Sequence, residues 1–197
     1  MKFYEGEVVS TDGIVFLTGD GGREKRVIEA LAEKYNHKKT IFRPTFIPHR
    51  TGLTGVVEQL ATLTNLKISV KSYLIVIDKE HVNNFSQVER KLGTYGFEIL
   101  EKKLEEGAWI VKCRKGVKEI MLYLAVMGEE KCIEENLAKL IRLRFGEEVG
   151  PTKRELDKWL KSRGMNERSI IEGAGEDVLR KSLPNLVTLL EEINITL

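Results

Sequence analysis

Two short acidic stretches hold the side chains in this sequence that are best suited to chemistry. Asp20-Gly21-Gly22-Arg23-Glu24 follows one apolar run, and Asp78-Lys79-Glu80 follows another. Their carboxylates are hard oxygen ligands, which suit magnesium or manganese rather than zinc. Several like charges in one crevice are unfavourable unless a cation or a proton neutralises them. The residue types and their spacing therefore indicate a site for a divalent cation.

Ordinary structural roles would also explain each stretch. The glycines permit the backbone dihedrals of a turn from strand to helix, and an acid near a helix start is favoured by the helix dipole. Asp78 and Glu80 could in the same way cap the helix that follows them. Either stretch alone favours this structural interpretation, whereas two such stretches after two strands favour a functional one.

Alternating strand and helix patterns place both stretches at strand ends. Continuous apolar runs predict buried strands, and a change to helical spacing after a run predicts the helix that follows it. The predicted strands cover residues 14–17, 40–47, 73–77, 97–100, 109–113 and 120–126. The predicted helices begin at Gly22, near Leu53 and before Val88. This alternation predicts an α/β fold, with an open, largely parallel sheet flanked by helices and joined by right-handed crossovers.

The chain after Gly128 has a different character, because its apolar residues recur only at helical spacing. The sequence thus predicts an α/β domain over residues 1–128 and a helical C-terminal lobe over residues 129–197. Ligands of open parallel sheets bind outside the carboxyl ends of the strands. We therefore expect Asp20, Glu24, Asp78 and Glu80 to share one crevice. On an extended backbone, Asp78 and Glu80 would project to the same side.

At these residues the sequence resembles the Toprim family, which topoisomerases, primases and the nucleases of the overcoming-lysogenization-defect group share. The family has a strand ending in Glu-Gly-x-x-acid that opens a helix, and a later strand ending in Asp-x-Asp or Asp-x-Glu. The two acidic stretches resemble these motifs in order and context, over about residues 13–126. The chain departs from the pattern at Asp20, where the family has glutamate. If Gly19 is instead the family glycine, Thr18 occupies the glutamate position.

The resemblance implies magnesium- or manganese-dependent phosphodiester chemistry on DNA or RNA. Asp78 and Glu80 would hold the metal, and Asp20 or Glu24 would handle a proton. The implied phosphate-binding residues are Arg23, Lys25, Arg26 and, across the crevice, His49 and Arg50. The alternative is a catalytically silent Toprim-like module that binds or regulates a nucleotide or protein partner.

Overall composition restricts the other classes of function. The 32 Lys and Arg residues nearly balance 30 Asp and Glu, so a nucleic acid must bind to a local surface. The best candidate for such contact is the basic series of residues 153–163, although series of this kind are usually solvated helix faces. Both cysteines are expected to be free and buried, and a cytoplasmic protein without membrane segments is expected. The many Lys and Glu residues are typical of thermophilic proteins, and self-association is left open.

Overall fold

The computed structural model describes residues 2–6, 13–19, 22–35, 40–44, 50–66 and 70–196. Asp20 and His49, two of the predicted site residues, lie outside these ranges, as do residues 45–47 of the predicted second strand. The predicted roles of Asp20 and His49 therefore stay predictions.

Seven strands within the described residues form one mixed sheet. They are β1 (Lys2–Glu5), β2 (Ile14–Thr18), β3 (Thr40–Arg43), β4 (Ser72–Asp78), β5 (Glu98–Glu105), β6 (Ala108–Lys115) and β7 (Lys118–Met127). Their order in the sheet is β1-β3-β2-β4-β7-β6-β5. The five neighbouring strands β1, β3, β2, β4 and β7 pair in parallel. Strands β6 and β5 extend the sheet beyond β7 in antiparallel pairing. The predicted α/β fold with a largely parallel sheet is confirmed.

Helices cover both faces of this sheet. Along the chain they are α1 (Gly22–Tyr35), α2 (Gly52–Asn65), α3 (Phe85–Thr94), α4 (Ile133–Phe145), α5 (Lys153–Ser162), α6 (Glu167–Glu172), α7 (Glu176–Ser182) and α8 (Pro184–Thr196). Helices α2 and α3 pack on one face, and α1 together with α4–α8 packs on the other. No helix among the described residues is both long and apolar enough to cross a membrane.

The helices after Gly128 share one apolar core with the sheet. Side chains of α8 such as Leu186 and Leu190 are fully buried in the same cluster as Ile14 and Leu74 of the sheet. The change at residues 128 and 129 is thus a change from strands to helices and not a break in packing. Trp109 and Trp159 are buried in the core.

The two central strands place the predicted crevice. β2 and β4 are parallel neighbours, with Thr18 opposite Val76. After β2, the chain continues to β3, which lies on one side of this pair. After β4, it continues to the strands on the other side, where β7 is the neighbour of β4. Their carboxyl ends therefore form a topological switch point, where open α/β sheets bind ligands.

Candidate functional site

Asp78 is a buried carboxyl at the last position of β4. Successive side chains of a strand alternate between its faces, so Asp78 lies on the same face as Leu74 and Val76, the face that α1 and α4 cover. Its Oδ1 accepts a hydrogen bond of 3.0 Å from the backbone N–H of Ile133, the first residue of α4. Cys132, the N-cap residue of α4, makes no side-chain cap of its own. Asp78 therefore takes the place of the missing cap from a distant strand.

The surroundings of Asp78 raise the pKa of its carboxyl group. Burial is the main reason that its pKa rises to about 7, and the negative charge of Glu24 is the second. Glu134 adds to the rise, whereas the hydrogen bond from Ile133 and the charge of His81 oppose it. The charge of Glu24 thus acts on Asp78 from the first turn of α1, and a shared crevice for the two carboxyl groups stays a prediction. Glu24 is itself buried, on the first turn of α1.

Thr18 brings a further polar atom to this end of the sheet. Its Oγ1 is buried and has no hydrogen-bond partner among the described residues. By strand alternation from Ile14 and Phe16, its side chain lies on the same face as Asp78. Buried hydroxyl groups nearly always find a partner, so an orphaned one at the same end of the sheet as Asp78 suits a site that receives a ligand or water.

Glu80 is not placed as the sequence predicts. The strand ends at Asp78, and Lys79–His81 form a 3-10 turn rather than extended backbone. The prediction that Asp78 and Glu80 project to the same side of an extended strand is therefore wrong. Glu80 is exposed and lies 4.0 Å from both His81 Nε2 and Lys131 Nζ. It lines a cleft of about 470 Å³ with residues of α2 and α3, whereas Asp78 faces α4.

Arg23 binds three carboxylates in the position where a phosphate contact was predicted. Its Nη1 lies 2.8 Å from Glu134 and its Nε lies 3.0 Å from Glu167, while Nη2 donates to Asp157. The side chain is only 6% exposed. Because its partners belong to α4, α5 and α6, Arg23 joins the start of α1 to three later helices. This guanidinium has the role of a buried ion-pair hub.

The other predicted phosphate contacts also have neighbours of their own. Arg26 binds Glu167 through two hydrogen bonds of 2.8 and 3.0 Å. Burial would raise the pKa of Glu167, but its hydrogen bonds with Arg26 and the charges of Arg26 and Arg23 hold that pKa below its usual value. Lys25 lies 2.6 Å from Glu5 at the sheet edge. Arg50 is exposed just before α2. Phosphate binding by these residues stays a prediction.

The backbone is tightly packed between the end of β2 and the start of α2. A Cβ on Gly19 would lie 3.0 Å from the Cα of Gly52, which has a φ of +62°. A Cβ on Gly52 would in turn lie 3.1 Å from the imidazole of His81. Glycine is therefore required at both positions, and the contacts fix His81 beside the strand ends.

The two cysteines are free, and neither is a ready nucleophile. Cys113 is buried in a strand, and Cys132 is half-buried next to Glu134. Burial raises the pKa of Cys113 to about 12, and burial together with Glu134 raises the pKa of Cys132 to about 12. Since the thiolate is the reactive form, neither thiol is activated near neutral pH. The prediction of free cysteines is confirmed, although Cys132 is only partly buried.

The sequence did not single out three groups that this site contains. Glu134 and the backbone N–H of Ile133 come from α4, and the orphaned hydroxyl comes from Thr18. A sequence signal existed only for Thr18, which directly precedes the first acidic stretch. Comparison of the chain with family models, with curated proteins and with solved structures finds no match.

Proposed function

We propose that the crevice at the carboxyl ends of β2 and β4 binds Mg²⁺ or Mn²⁺ and acts on phosphodiester bonds of nucleic acid, as the resemblance to Toprim nucleases implies. The observation that carries this proposal is the pair of buried carboxyl groups, Asp78 and Glu24, whose proximity helps to raise the pKa of Asp78 to about 7. Such a pair is stabilised by a proton or by a cation.

The donor set fits magnesium. No group of three His, Cys, Asp or Glu side chains forms a ready-made metal site within the described ranges. Magnesium, however, is usually held by one or two carboxylates, with water and substrate phosphates completing its shell. Asp78 and Glu24 supply that number, and the hydroxyl of Thr18 is a further oxygen that has no partner within the described ranges. Asp20, outside the described residues, would add another carboxylate.

The roles of the residues follow from their surroundings. A bound metal ion would neutralise charge on the phosphate. Asp78 would hold it after losing its proton, and Glu24 would accept a proton from the attacking water oxygen. Glu80 would act only from the exposed rim, because it lies in the turn after β4. The setting we propose for this activity is the cytoplasm.

A specific observation favours the second candidate, a catalytically silent Toprim-like binding module. One oxygen of Asp78 already caps α4, and the three basic residues of α1 near its start already bind carboxylates. Through these contacts, Asp78 and the basic residues of α1 would stabilise the fold without any catalytic role. A silent module would still bind a nucleotide or protein partner at this edge of the sheet.

Cleavage assays separate the two candidates. Labelled single- and double-stranded DNA and RNA would be incubated with the wild type in Mg²⁺, in Mn²⁺ and in EDTA. The variants Asp78→Asn and Glu24→Gln remove one carboxylate each, and Asp177→Asn, at an exposed position on α7, is the matched control. Metal-dependent cleavage that both site variants abolish and the control retains supports the nuclease. Cleavage that survives in both site variants, or no cleavage by any protein, favours the silent module.

A further inference from the structure

Helix α5 presents four cationic side chains that have no partner in the described part of the chain. The side chains of Lys153, Arg154, Lys158 and Lys161 are exposed and form no ion pair or hydrogen bond with any described residue. Other surface cations, such as Arg114 and Arg180, lie in ion pairs with neighbouring glutamates. A helix face with unpaired cations is therefore available to an external anion.

The two acids of α5 do not neutralise these cations. Glu155 folds back onto the start of its own helix, where its Oε2 accepts a hydrogen bond of 2.6 Å from Thr152 Oγ1. Asp157 accepts a hydrogen bond from Arg23. Both carboxylates thus have other partners, and the charge of the exposed face stays positive.

The spacing of the cations suits a polyanion. Arg154, Lys158 and Lys161 are separated by four and three positions, which places them on one face of the helix. The series from Lys153 to Lys161 extends over about 12 Å at the helical rise of about 1.5 Å per residue. One strand of duplex nucleic acid carries a phosphate about every 3.4 Å along its axis, so this face can meet several phosphates at once.

This face lies next to the candidate site. Asp157, on the same helix, contacts Arg23, and Arg23 directly precedes Glu24, whose charge raises the pKa of Asp78. Arg23 also contacts Glu134, which has the same effect on Asp78. A nucleic acid held on α5 would therefore lie close to the buried carboxyl groups.

The chemistry of the face favours nucleic acid over other anionic partners. The apolar side chains of α5, Leu156, Trp159 and Leu160, are buried in the core. An interfacial membrane helix needs an exposed apolar face, and a protein interface is centred on apolar or aromatic anchors. Cations without such anchors suit the phosphate backbone, where charge supplies most of the affinity.

We infer that the exposed face formed by Lys153, Arg154, Lys158 and Lys161 binds the phosphate backbone of a nucleic acid and holds it beside the crevice of Asp78 and Glu24. The inference rests on the proposed function for its choice of ligand. It concerns a separate surface, so its test does not depend on metal binding or on cleavage.

The test measures binding of fluorescein-labelled DNA and RNA of about 30 nucleotides, single- and double-stranded, by fluorescence anisotropy in EDTA over a range of salt concentrations. The α5 variant combines Lys153→Gln, Lys158→Gln and Lys161→Gln. The matched control combines Lys71→Gln, Lys112→Gln and Lys118→Gln, three lysines that line one cleft at the opposite, amino-terminal edge of β4 and β7.

The α5 variant is expected to lose at least about tenfold in affinity for any sequence, and its slope of log K against log salt should fall by about 3. The control should bind like the wild type. An equal loss in the control, or no binding by the wild type, overturns the inference. The inference is also wrong if phosphatidylserine vesicles bind to the wild type through these lysines and nucleic acid does not.

The stabilisation of each protein by Mg²⁺, followed as a shift in Tm, separates this result from the proposed function. The α5 variant should keep the shift of the wild type, because its changes are not at the carboxyl groups. Lost metal binding with retained nucleic-acid binding would count against the proposed metal site alone. A retained shift without nucleic-acid binding by the wild type would count against the α5 surface alone.

Discussion

The carboxylate of Asp78 accepts a hydrogen bond of 3.0 Å from the backbone N–H of Ile133, so the end of β4 caps a helix that begins 55 residues later in the chain. The backbone reinforces this junction, because the N–H of Glu80 donates to the carbonyl of Lys131 at 2.9 Å. The protonation state of one site residue is thereby linked to the packing of α4 on the sheet. A cation or a proton at Asp78 should act on both.

The pH dependence of stability should reveal the buried carboxyl of Asp78. Its folded pKa of about 7 is above the ordinary value of 3.8, so the folded state binds more protons than the unfolded state between these values. This contribution to stability is full at low pH and is lost as the pH rises through about 7. The shift corresponds to a loss on the order of 4 kcal/mol in the free energy of unfolding.

Asp78→Asn should remove this loss, because an amide carries no charge and its oxygen can still accept the bond from Ile133. In urea denaturation without metal, we expect the variant to be more stable than the wild type at about pH 8, with a smaller difference at about pH 5. Asp177→Asn, the exposed control, should follow the wild type at both values. A variant less stable than the wild type at about pH 8 would contradict the assigned environment.

Arg23→Met should destabilise the fold strongly. It would leave Glu134, Asp157 and Glu167 without their shared cation, and loss of one partner from a buried ionic cluster costs roughly 3–5 kcal/mol. Arg43→Met removes a more exposed pair with Glu5 and should cost about 1 kcal/mol or less. Chemical denaturation of both variants tests the difference. Equal small losses would show that Arg23 is not the structural hub.

Gly52→Ala should cost more than Gly116→Ala. Both glycines have φ near +60°, where alanine costs about 1–2 kcal/mol. Gly116 has open space around it, whereas a Cβ on Gly52 would lie 3.1 Å from His81. The free energy of unfolding should therefore fall further for Gly52→Ala, and the NMR signals of the His81 imidazole should shift in that variant alone. Identical effects of both changes would mean that the contact with His81 is not tight.

The fold was predictable from the sequence wherever a strand is fully buried, because such a strand must consist of apolar residues. Strand β4 is buried along its whole length, so its apolar run identifies it without any neighbour. Strand β1 was missed because it is a four-residue edge strand, Lys2–Glu5, with two adjacent aromatic residues between two charged ones and β3 as its partner. Its place in the sheet depends on a partner far along the chain.

The site was predictable only in part, because its contacts are between distant residues. Acids after two parallel strands predicted a common crevice for Asp78 and Glu24, and the charge of Glu24 does raise the pKa of Asp78. The partners of Arg23 are 111, 134 and 144 positions away, so no local pattern indicated that it binds carboxylates. The spacing of two between Asp78 and Glu80 predicted extended backbone, whereas the 3-10 turn at Lys79–His81 directs the two side chains to different places.

The central claim, that Asp78 and Glu24 form a cation site in competition with a proton, is tested most directly by calorimetric titration of Mg²⁺. Wild type and Asp78→Asn would be titrated at about pH 6 and about pH 8, in buffers of different ionisation enthalpy. Magnesium should bind to the wild type at about pH 8 with almost no release of protons. At about pH 6 it should bind about tenfold more weakly and release close to one proton, since the pKa of Asp78 is about 7. Asp78→Asn should not bind at either pH. Equal binding by Asp78→Asn, or no binding by the wild type at about pH 8, would contradict the claim.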